Sequence, residues 1–489
     1  MKKENKFDSL KGFDAEELYY YSLLNLLGKK APKVKKAILK ELENQRSSLK
    51  LIASENYSSF AVQAAMGNLF TDKYAEGFPY HRFYAGCENV DEIEEAAAKA
   101  AEKLFNADYA FVQPHSGSDA NLCAYHAILH KKVELPYLEK EGVKSIDALS
   151  PEKWQELREL LNSQKLLALD YYSGGHLTHG YKHNVSGKMF KTYFYGLKDF
   201  NDCLSYDEIR AQALEVKPLI FLVGYSAYPR AINFRIMKEI ADECNAVLMV
   251  DMAHFAGLVA GKVFTGDYDP VKWADVVTST THKTLRGPRG GLVLSKEEFK
   301  DSVNKACPLM MGGPIAPIMA AKLIAFEEAS KPSFAVYASQ IVKNSKALAD
   351  ALIKNGVLLS TGGTDNHLIV MNTSSFGITG RQAESALREV GITANRNALP
   401  HDTNGPWYTS GVRIGTPAVT TLGMKEDEMK ELADIITLVL KNTKPIVDEK
   451  SPTGFSRTKY TIKKDAKKEA ESRVSKLLKR FKLYKKLNF

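Results

Sequence analysis

The segment Thr278-Ser-Thr-Thr-His-Lys-Thr-Leu285 places a lysine beside a histidine and several hydroxyl groups, directly after an apolar run. An amine in such surroundings is suited to forming a Schiff base with a carbonyl compound. Asp251 ends the apolar run before that one, and a buried carboxylate requires a partner such as a protonated ring nitrogen. Taken alone, Lys283 could equally be a solvated loop lysine, and Asp251 could cap the next turn.

A second segment, Pro114-His-Ser-Gly-Ser-Asp119, lies between a predicted strand and a predicted helix over Asp119–Leu129. Small residues at a helix N-terminus leave backbone N–H groups and the positive end of the helix dipole free for an anion. The hydroxyl groups of Ser116 and Ser118, with Gly117 between them, complete a candidate phosphate site. An ordinary serine-capped helix is the alternative, and the motif by itself favours it.

Two histidines stand in the glycine-rich segment Gly174-Gly-His-Leu-Thr-His179. His176 could stack on a flat ring, because the glycines would let a ligand approach the backbone closely. A turn with incidental histidines is the alternative, and a metal site is not predicted because no carboxylate or cysteine joins them locally. Together the three segments supply a phosphate site, a stacking ring, a carboxylate for a ring nitrogen and a Schiff-base lysine. Their chain order is that of pyridoxal-phosphate enzymes of the aspartate aminotransferase fold type.

Short apolar runs of strand length alternate with helical patterns through the middle of the chain, and several of them end in these polar segments. Strands separated by helices indicate an α/β fold, a mostly parallel sheet with helices on both faces, in which ligands bind at the carboxyl ends of the strands. A smaller C-terminal α/β domain is predicted further along. The predicted strands are Tyr109–Gln113, Leu166–Leu169, Leu219–Val223, Ala246–Val250, Val276–Thr278, Leu292–Leu294, Val357–Leu359 and His367–Met371.

The chain of 489 residues is too long for one ordinary core, so several domains are expected. We predict an N-terminal helical arm (1–53), a large cofactor-binding domain (54–331) with an insertion near 135–165, a small domain (332–454) and a basic tail (455–489). The formal net charge is +9, and the tail holds 13 of the 67 basic and 3 of the 58 acidic residues, so the body is nearly neutral. Nucleic-acid binding by the whole protein is therefore not indicated.

The tail also carries an apolar stripe at helical spacing among its lysines and arginines. One interpretation is a helix that docks this stripe on the body of the protein. The other is an anion-binding arm for RNA or an acidic surface. The residues of the stripe are Val474, Leu477, Leu478, Phe481, Tyr484 and Leu487.

The five cysteines are scattered, and none has the CxxC spacing. This pattern predicts reduced thiols and a cytoplasmic location, and it predicts neither a zinc site nor a disulfide framework. The first residues lack an apolar core of signal-peptide length, and no run approaches the length of a membrane-spanning helix. No membrane association is expected.

Eight segments resemble motifs of the serine hydroxymethyltransferase family, and together they extend roughly from Lys50 to Val447. Their number and order make a chance match negligible. The segments are Leu51-IASEN-Tyr57, Lys73-YAEG-Phe78, Arg82-FYAGCE-Asn89, Gln113-PHSGSDAN-Leu122, Gly174-GHLTHG-Tyr181, Val250-DMAHFAG-Leu258, Thr280-THKTLRGPRGG-Leu292 and Ser410-GVRIGTPA-Val419.

The resemblance implies that pyridoxal 5'-phosphate is bound covalently at Lys283. Asp251 would keep its pyridine nitrogen protonated, and His176 would stack on its ring. The other residues implied for the cofactor are Ser116, Gly117 and Ser118 at the phosphate, Ser226 and His254 near the ring oxygen, His282 beside the lysine, and Tyr74 and Gly313, which would act on the cofactor of a partner subunit.

For the substrate, the resemblance implies that Arg413, helped by Ser54, binds the amino-acid carboxylate, which a planar guanidinium can hold in a bidentate way. Glu76 would act as acid and base at the substrate hydroxyl and the folate, and Tyr84 would reach in from the partner subunit. The implied folate site consists of Tyr171, Gly174, Gly175 and Asn397. Tyr171 stands where the family usually has leucine, so weaker folate binding is expected.

The implied reaction is the reversible transfer of the hydroxymethyl group of L-serine to tetrahydrofolate, which gives glycine and 5,10-methylenetetrahydrofolate. Because active sites of this family lie at a subunit interface, a homodimer is the minimum expected assembly, and a tetramer is compatible with it. Two alternatives stay open, a folate-independent aldolase or racemase on small amino acids and a secondary nucleic-acid-binding role of the tail. The presence of Glu76 and Asn397 favours the transferase over the first.

Overall fold

The computed structural model describes residues 14–451 and 453–487. Helices α1 (Ala15–Lys30) and α2 (Pro32–Arg46) form the described part of the predicted arm, whose residues 1–13 lie outside the described residues. The carboxylate of Asp14 caps α1, and a proline opens α2, where its missing N–H leaves no donor unpaired. The chain continues through β1 (Leu49–Lys50), α3 (Phe60–Ala65) and the hairpin of β2 (Gly77–Phe78) and β3 (His81–Arg82).

The next part of the chain builds a seven-stranded sheet. Its strands are β4 (Tyr109–Phe111), β5 (Lys165–Leu169), β6 (Lys191–Tyr195), β7 (Ile220–Gly224), β8 (Val247–Asp251), β9 (Val276–Thr280) and β10 (Gly291–Ser295). Their spatial order is β4-β10-β9-β8-β7-β5-β6. All neighbours from β9 to β6 pair in parallel, and β10 runs antiparallel to both of its neighbours, β4 and β9. The predicted α/β fold with a mostly parallel sheet is therefore confirmed.

Helices connect these strands, and α6 and α7 occupy the predicted insertion. The strands β7, β8 and β9 are buried at every position, as expected for a sheet covered on both faces. No strand is predicted over β6, because this edge strand is largely exposed and does not form an apolar run. The helices are α4 (Glu88–Phe105), α5 (Gly117–Leu129), α6 (Leu135–Lys140), α7 (Pro151–Asn162), α8 (Ser186–Met189), α9 (Tyr206–Val216), α10 (Phe234–Glu243), α11 (Ala256–Ala260), α12 (Pro270–Trp273), α13 (Lys300–Asn304) and α14 (Ala316–Ala329).

A second sheet has four strands, all antiparallel to their neighbours. The elements of this part are α15 (Pro332–Lys354), β11 (Leu358–Leu359), β12 (Leu368–Asn372), α16 (Gly380–Glu389), β13 (Ile392–Thr393), β14 (Asn395–Asn397), α17 (Gly405–Tyr408), β15 (Gly411–Gly415), α18 (Pro417–Thr421) and α19 (Glu426–Lys441). The sheet order is β11-β12-β15-β14, and β13 pairs in parallel with β1. A boundary near residue 331 would fall between α14 and α15, and the predicted domain limits stay predictions.

The basic tail is folded onto this second part of the protein. Strand β16 (Thr443–Val447) pairs antiparallel with β17 (Phe455–Ile462), and helix α20 (Lys464–Arg480) follows. Val474 and Leu477 of α20 are buried in the same apolar core as Leu432 and Ile436 of α19. Docking therefore accounts for the apolar stripe, and the structure gives no support to a free anion-binding arm.

Two further sequence expectations concern the surroundings of the protein. No helix among the described residues has both the length and the apolar character needed to cross a membrane. Cys87, Cys203 and Cys244 are free thiols. Free thiols are typical of a reducing compartment, and the cytoplasmic location stays a prediction.

Candidate active site

Loops at the carboxyl ends of β7, β8 and β9 meet the start of α5 and strand β15 of the second sheet around a cavity of about 360 Å³. That volume is within the range of cofactor and small-ligand sites. The parallel strands place these loops at one edge of the sheet, which is where such folds bind ligands. The predicted site residues that line the cavity are Ser54, Ser116, Gly117, Ser118, His176, Ser226, Asp251, His254, His282, Lys283 and Arg413.

The start of α5 forms an anion cradle at one end of this cavity. The Ser116 hydroxyl accepts a hydrogen bond from the backbone N–H of Asp119 at 3.1 Å and caps the helix. A Cβ atom on Gly117 would lie 2.7 Å from Cγ2 of Thr280, so only glycine fits here without displacing that side chain. Because Ser116, Gly117 and Ser118 line the cavity, this 13-residue helix begins there, and the positive end of its dipole can attract an anion.

Asp251 is a buried carboxylate with three donors. Its Oδ1 accepts from the N–H of Ala253 at 3.0 Å, and its Oδ2 contacts Nδ2 of Asn121 at 2.9 Å and Nε2 of His179 at 3.0 Å. Burial raises the pKa of Asp251, but the hydrogen bonds from His179 and Asn121 outweigh it, so the pKa lies well below its usual range. An ionised carboxylate is thus held at the end of β8, as a protonated ring nitrogen requires.

The partners of Asp251 are functional residues that the sequence analysis does not assign. Asn121 lies four positions after Gly117 on α5, so helical spacing brings both to the face that borders the cavity. Its Nδ2 also donates to Oγ1 of Thr178 at 2.8 Å, and Oγ1 of Thr278 donates to its Oδ1 at 2.5 Å. Asn121 and His179 both lie within motifs quoted from the sequence. The spacing of four residues between Gly117 and Asn121 is the pattern that could have identified Asn121.

Lys283 places a primary amine at the cavity. Burial lowers the pKa of Lys283 to about 8, with Asp251 opposing the shift and the charges of Arg413 and Arg289 adding to it. Its backbone carbonyl accepts hydrogen bonds from Nδ2 of Asn56 at 2.9 Å and from the N–H of Arg286 at 3.1 Å. The loop is therefore anchored by its backbone, while the amine has a larger neutral fraction at neutral pH than an ordinary lysine.

The histidines of the cavity are neutral rings. Burial lowers the pKa of His176 to about 4 and that of His282 to about 3, and it lowers the pKa of His254 well below the usual value. Nδ1 of His176 lies 2.7 Å from Oγ1 of Thr178, which fixes the ring. Nδ1 of His254 lies 3.2 Å from Nε2 of His367, a buried residue that sequence reasoning missed. A neutral ring can stack on an aromatic cofactor without adding charge to it.

Arg413 enters the cavity from β15. Its Nε donates to Oδ1 of Asn395 on the adjacent strand at 3.1 Å, and its Nη1 donates to the carbonyl oxygen of Ser226 at 2.5 Å. Burial lowers the pKa of Arg413 to about 10, so the guanidinium remains charged at neutral pH. With Ser54 also lining the cavity, a fixed and partly desolvated cation is available for a carboxylate.

Four predicted residues are not brought into this cavity: Tyr74, Glu76, Tyr84 and Gly313. The rings of Tyr74 and Tyr84 contact each other with centroids 4.8 Å apart, and 56% and 47% of these side chains are exposed. Gly313 lies against Tyr74, since a Cβ there would be 3.2 Å from the ring. The four residues therefore belong to a separate surface of this chain.

Charged contacts bind the hairpin of β2 and β3 to α4. Nε of Arg82 lies 2.8 Å from Asp91 and its Nη2 lies 2.6 Å from Glu94, both on α4. Nε2 of Gln113 donates to the Gly77 carbonyl oxygen at 2.8 Å. These buried contacts fix the position of Glu76 relative to the body of its own chain.

The predicted folate residues also lie outside the lining of the cavity. Tyr171 packs its ring on Tyr181 with centroids 5.3 Å apart, and the N–H of Ser226 donates to the Gly174 carbonyl oxygen at 2.8 Å. The backbone at Gly174 has φ +107°, and a Cβ on Gly175 would lie 2.0 Å from the carbonyl oxygen of Leu169. Backbone packing therefore requires both glycines. Asn397 donates to the carbonyl oxygen of Ala398 at 2.6 Å.

The residues present fit pyridoxal phosphate. Ser116, Gly117 and Ser118 line the cavity at the start of α5, Asp251 is ionised and buried, and the amine of Lys283 has a lowered pKa. In addition, Nδ1 of His282 is a buried nitrogen without a hydrogen-bond partner. A mostly parallel sheet with this site at its carboxyl edge defines the class of pyridoxal-phosphate enzymes of the aspartate aminotransferase fold type.

Comparison with known proteins identifies the family within this class. A family model described as "Serine hydroxymethyltransferase" matches residues 27–140 and 149–436. Proteins named serine hydroxymethyltransferase are 56% identical in Treponema pallidum over 96% of this chain and 81% of the relative, and 52% identical in Mycolicibacterium smegmatis over 96% and 95%. A third, from Salinispora tropica, is 51% identical over 96% of this chain and 98% of the relative. The chain belongs to the serine hydroxymethyltransferase family, and the resemblance found in its motifs is confirmed.

Proposed function

We propose that the chain catalyses the reversible transfer of the hydroxymethyl group of L-serine to tetrahydrofolate, giving glycine and 5,10-methylenetetrahydrofolate. The observation that carries this proposal is the convergence of Lys283, Asp251 and Arg413 on one cavity in a member of this family. Neither a folate-independent aldolase or racemase nor a nucleic-acid-binding role is favoured by any contact in the described residues.

Cofactor binding would use the residues already gathered in the cavity. Lys283 would hold pyridoxal phosphate covalently, Asp251 would pair with its protonated ring nitrogen, and the cradle at Ser116–Ser118 would take the phosphate. His176 would stack on the ring, with Ser226 and His254 near its oxygen. When bound, this cofactor draws electrons from the substrate Cα. The low pKa of Asp251 supports this arrangement, because an ionised carboxylate keeps the ring nitrogen protonated.

Substrate binding would depend on Arg413 and Ser54. The guanidinium is oriented by its contacts to Asn395 and Ser226, so it can accept the amino-acid carboxylate without reorganising. Arg413 would therefore fix the amino acid so that the bond to its hydroxymethyl group faces the cofactor.

A second copy of the chain would complete the site. Tyr74, Glu76, Tyr84 and Gly313 lie together on one surface outside their own cavity, and a partner subunit could present that surface to the cavity. The exposed Leu69 and Phe83 near this surface, 87% and 70% accessible, support an interface there. We propose a homodimer as the minimum assembly, with Glu76 moving the proton of the substrate hydroxyl, and a tetramer as compatible with it.

Tyr171, Gly174, Gly175 and Asn397 stay proposals as folate residues. The positive charge of Arg413 acts on Tyr171, so this ring lies near the amino-acid site, although burial is the main cause that raises the pKa of Tyr171. Replacing Tyr171 with leucine should lower the tetrahydrofolate concentration at which serine turnover is half-maximal. An unchanged tetrahydrofolate concentration would show that Tyr171 is not part of the folate site.

Free thiols support a cytoplasmic location for the reaction.

The function is tested by spectroscopy and labelling of the purified protein. Its visible absorption should change on adding glycine and change again with tetrahydrofolate, and serine should be converted to glycine only when tetrahydrofolate is present. Borohydride should fix the cofactor on Lys283. Lys322 is the matched control, because it is fully buried with its amine bonded to the carbonyl oxygens of Val112, Pro114 and Gly291 at 2.6–2.9 Å. Label on Lys322, or no response to tetrahydrofolate, contradicts the proposal.

A further inference from the structure

The last residues of the described chain form a turn that is bound to the N-terminal arm. We call residues 483–487 the C-terminal turn. Arg46 at the end of α2 donates from Nε to the carbonyl oxygen of Leu483 at 3.0 Å, and from Nη2 to those of Tyr484 at 2.6 Å and Leu487 at 2.7 Å. A single guanidinium thus donates hydrogen bonds to three backbone carbonyl oxygens, and these bonds hold the C-terminal turn against the arm.

Tyr484 carries the contact between this turn and the body. Its hydroxyl donates to the Ser58 carbonyl oxygen at 3.0 Å and accepts from Nε2 of Gln63 at 2.8 Å. Its ring packs on Phe60 with centroids 4.6 Å apart. The backbone of Tyr484 has φ +46°, a left-handed conformation that a bulky residue adopts only where its surroundings hold it. The C-terminal turn therefore holds the Tyr484 side chain in one specific position against the body.

The segment that Tyr484 supports reaches the active site within a few residues. We call residues 54–58 the entry segment. Ser54 lines the active-site cavity, and Nδ2 of Asn56 donates to the Lys283 carbonyl oxygen at 2.9 Å and contacts the hydroxyl of Tyr337 at 2.7 Å. Through Asn56, the entry segment holds the backbone of the lysine that would bind the cofactor.

The same turn touches the part of the chain that follows Arg413. Leu483 is buried in a small apolar cluster with Tyr57 of the entry segment and Ala418 of α18. Helix α18 begins directly after β15, the strand that carries Arg413. The Thr421 hydroxyl at the end of α18 donates to Oδ1 of Asn56 at 2.7 Å. The C-terminal turn thus joins the two segments that flank the amino-acid site.

We propose that the C-terminal turn is a positioning device for the amino-acid site, with Tyr484 as its positioning residue. Tyr484 supports the entry segment through its hydrogen bond to Ser58, and this contact sets where Ser54 faces the carboxylate held by Arg413. The phosphate cradle at α5 lies on other elements, and Asn56 contacts only the backbone of Lys283 and not its amine, so the turn acts on amino-acid binding more than on cofactor binding. The inference rests on the proposed function, because it assigns the partner of Arg413 as an amino acid.

The test compares two tyrosines of the tail. Tyr484→Phe removes only the hydroxyl that bonds Ser58 and Gln63, and Tyr460→Phe is the matched control, because the Tyr460 hydroxyl bonds Glu389 on α16 away from the cavity. For the holoenzyme we expect Tyr484→Phe to raise the glycine dissociation constant, read from the visible spectrum, and the KM for serine by about 3–10-fold. Cofactor affinity and kcat should change less than twofold, and Tyr460→Phe should match the parent.

A chain ending at Lys482 provides the second measurement. It should bind glycine more weakly still, with the cofactor retained. Unchanged glycine affinity in Tyr484→Phe overturns the proposal, even where the thermal midpoint falls, because a merely structural role would lower stability alone. If the shortened chain does not fold, Tyr484→Phe decides the matter by itself. If the parent protein binds glycine but never responds to tetrahydrofolate, the proposed transfer fails while the positioning role is still measured.

Discussion

At the scale of single residues, the site depends on charged groups whose environment changes their chemistry. Arg413 is charged, partly desolvated and fixed by two hydrogen bonds, and Lys283 has an amine of lowered pKa. Each property follows from burial beside a small number of named neighbours. Both can be measured separately from turnover.

Replacing Arg413 with alanine should remove the partner of the amino-acid carboxylate. The loss of a desolvated, hydrogen-bonded charge costs about 2–5 kcal/mol, so glycine and serine affinity should fall by at least about 30-fold while the cofactor stays bound. The control is Arg396→Ala, since Arg396 lies on the neighbouring strand β14 and pairs with Glu384 outside the cavity. Near-normal glycine affinity in Arg413→Ala would show that the carboxylate is bound elsewhere.

Binding of the cofactor at Lys283 should depend on pH in a lower range than expected for an ordinary lysine. Because the pKa is lowered to about 8, the neutral amine of the cofactor-free protein should form at lower pH than in an ordinary lysine. The rate of pyridoxal-phosphate capture should therefore rise with pH and reach half its maximum near pH 8. Arg289→Gln should move this midpoint to higher pH, because the charge of Arg289 lowers the pKa of Lys283. A midpoint above pH 10 would contradict the burial of the amine.

At the scale of elements, strand ends and helix starts create the site because their backbones approach closely. Gly117 opens α5 directly against Thr280 at the end of β9. Both residues line the cavity, so this close approach places the N-terminal end of α5 there, where the helix dipole can attract an anion. The tail provides a second example of two elements that pack closely. Helix α20 packs on α19, and this packing places the C-terminal turn against the arm.

The contact between Gly117 and Thr280 makes a matched pair of substitutions possible. Gly117→Ala would place a Cβ 2.7 Å from Cγ2 of Thr280, so the cradle must shift and cofactor affinity should fall about tenfold or more. Thr280→Ser removes Cγ2 but keeps the hydroxyl that donates to the Ala253 carbonyl oxygen at 3.1 Å. The double variant should recover most of the cofactor affinity. Equal affinity in the single and double variants would rule out this steric cause.

At the scale of the whole molecule, the interface between the two sheets buries several neutral histidines. His254 contacts His367 across this interface, and His176 and His282 lie in the same cavity region. Their pKa values are all lowered from 6.5, to about 4 for His176 and to about 3 for His282 and His367. Burial is the first cause in each case.

These histidines should make the protein sensitive to mild acid. Since the folded-state pKa values lie below 6.5, the unfolded chain binds protons first as the pH falls. Stability is thus present above about pH 6.5 and is lost progressively as the pH falls toward the folded-state pKa values of about 4 for His176 and about 3 for His282 and His367, by about 2 kcal/mol per buried histidine at pH 5. His367→Gln removes one such group, so its thermal midpoint should fall less between pH 7 and pH 5 than that of the parent. An equal fall in both proteins would contradict this origin.

The sequence alone was sufficient for the features encoded in contiguous residues. Each of the predicted strands is present in the structure, Asp251 ends one of them, and the loops carrying Ser116 and Lys283 follow two others. Apolar runs and turn residues act locally, so a short segment contains the information for them. The family resemblance needed no structure either, because it rests on motifs read directly from the chain.

The tertiary structure decided which of these residues meet. It placed Arg413 of the second sheet against Ser226, gave Asp251 its partners Asn121 and His179, and separated Glu76 from the cavity of its own chain. It also showed that the tail docks on the body of the protein, and that Tyr484 contacts Ser58, which lies 426 residues earlier in the sequence. Such contacts join segments remote in sequence, and their formation depends on the packing of the whole core rather than on any local pattern.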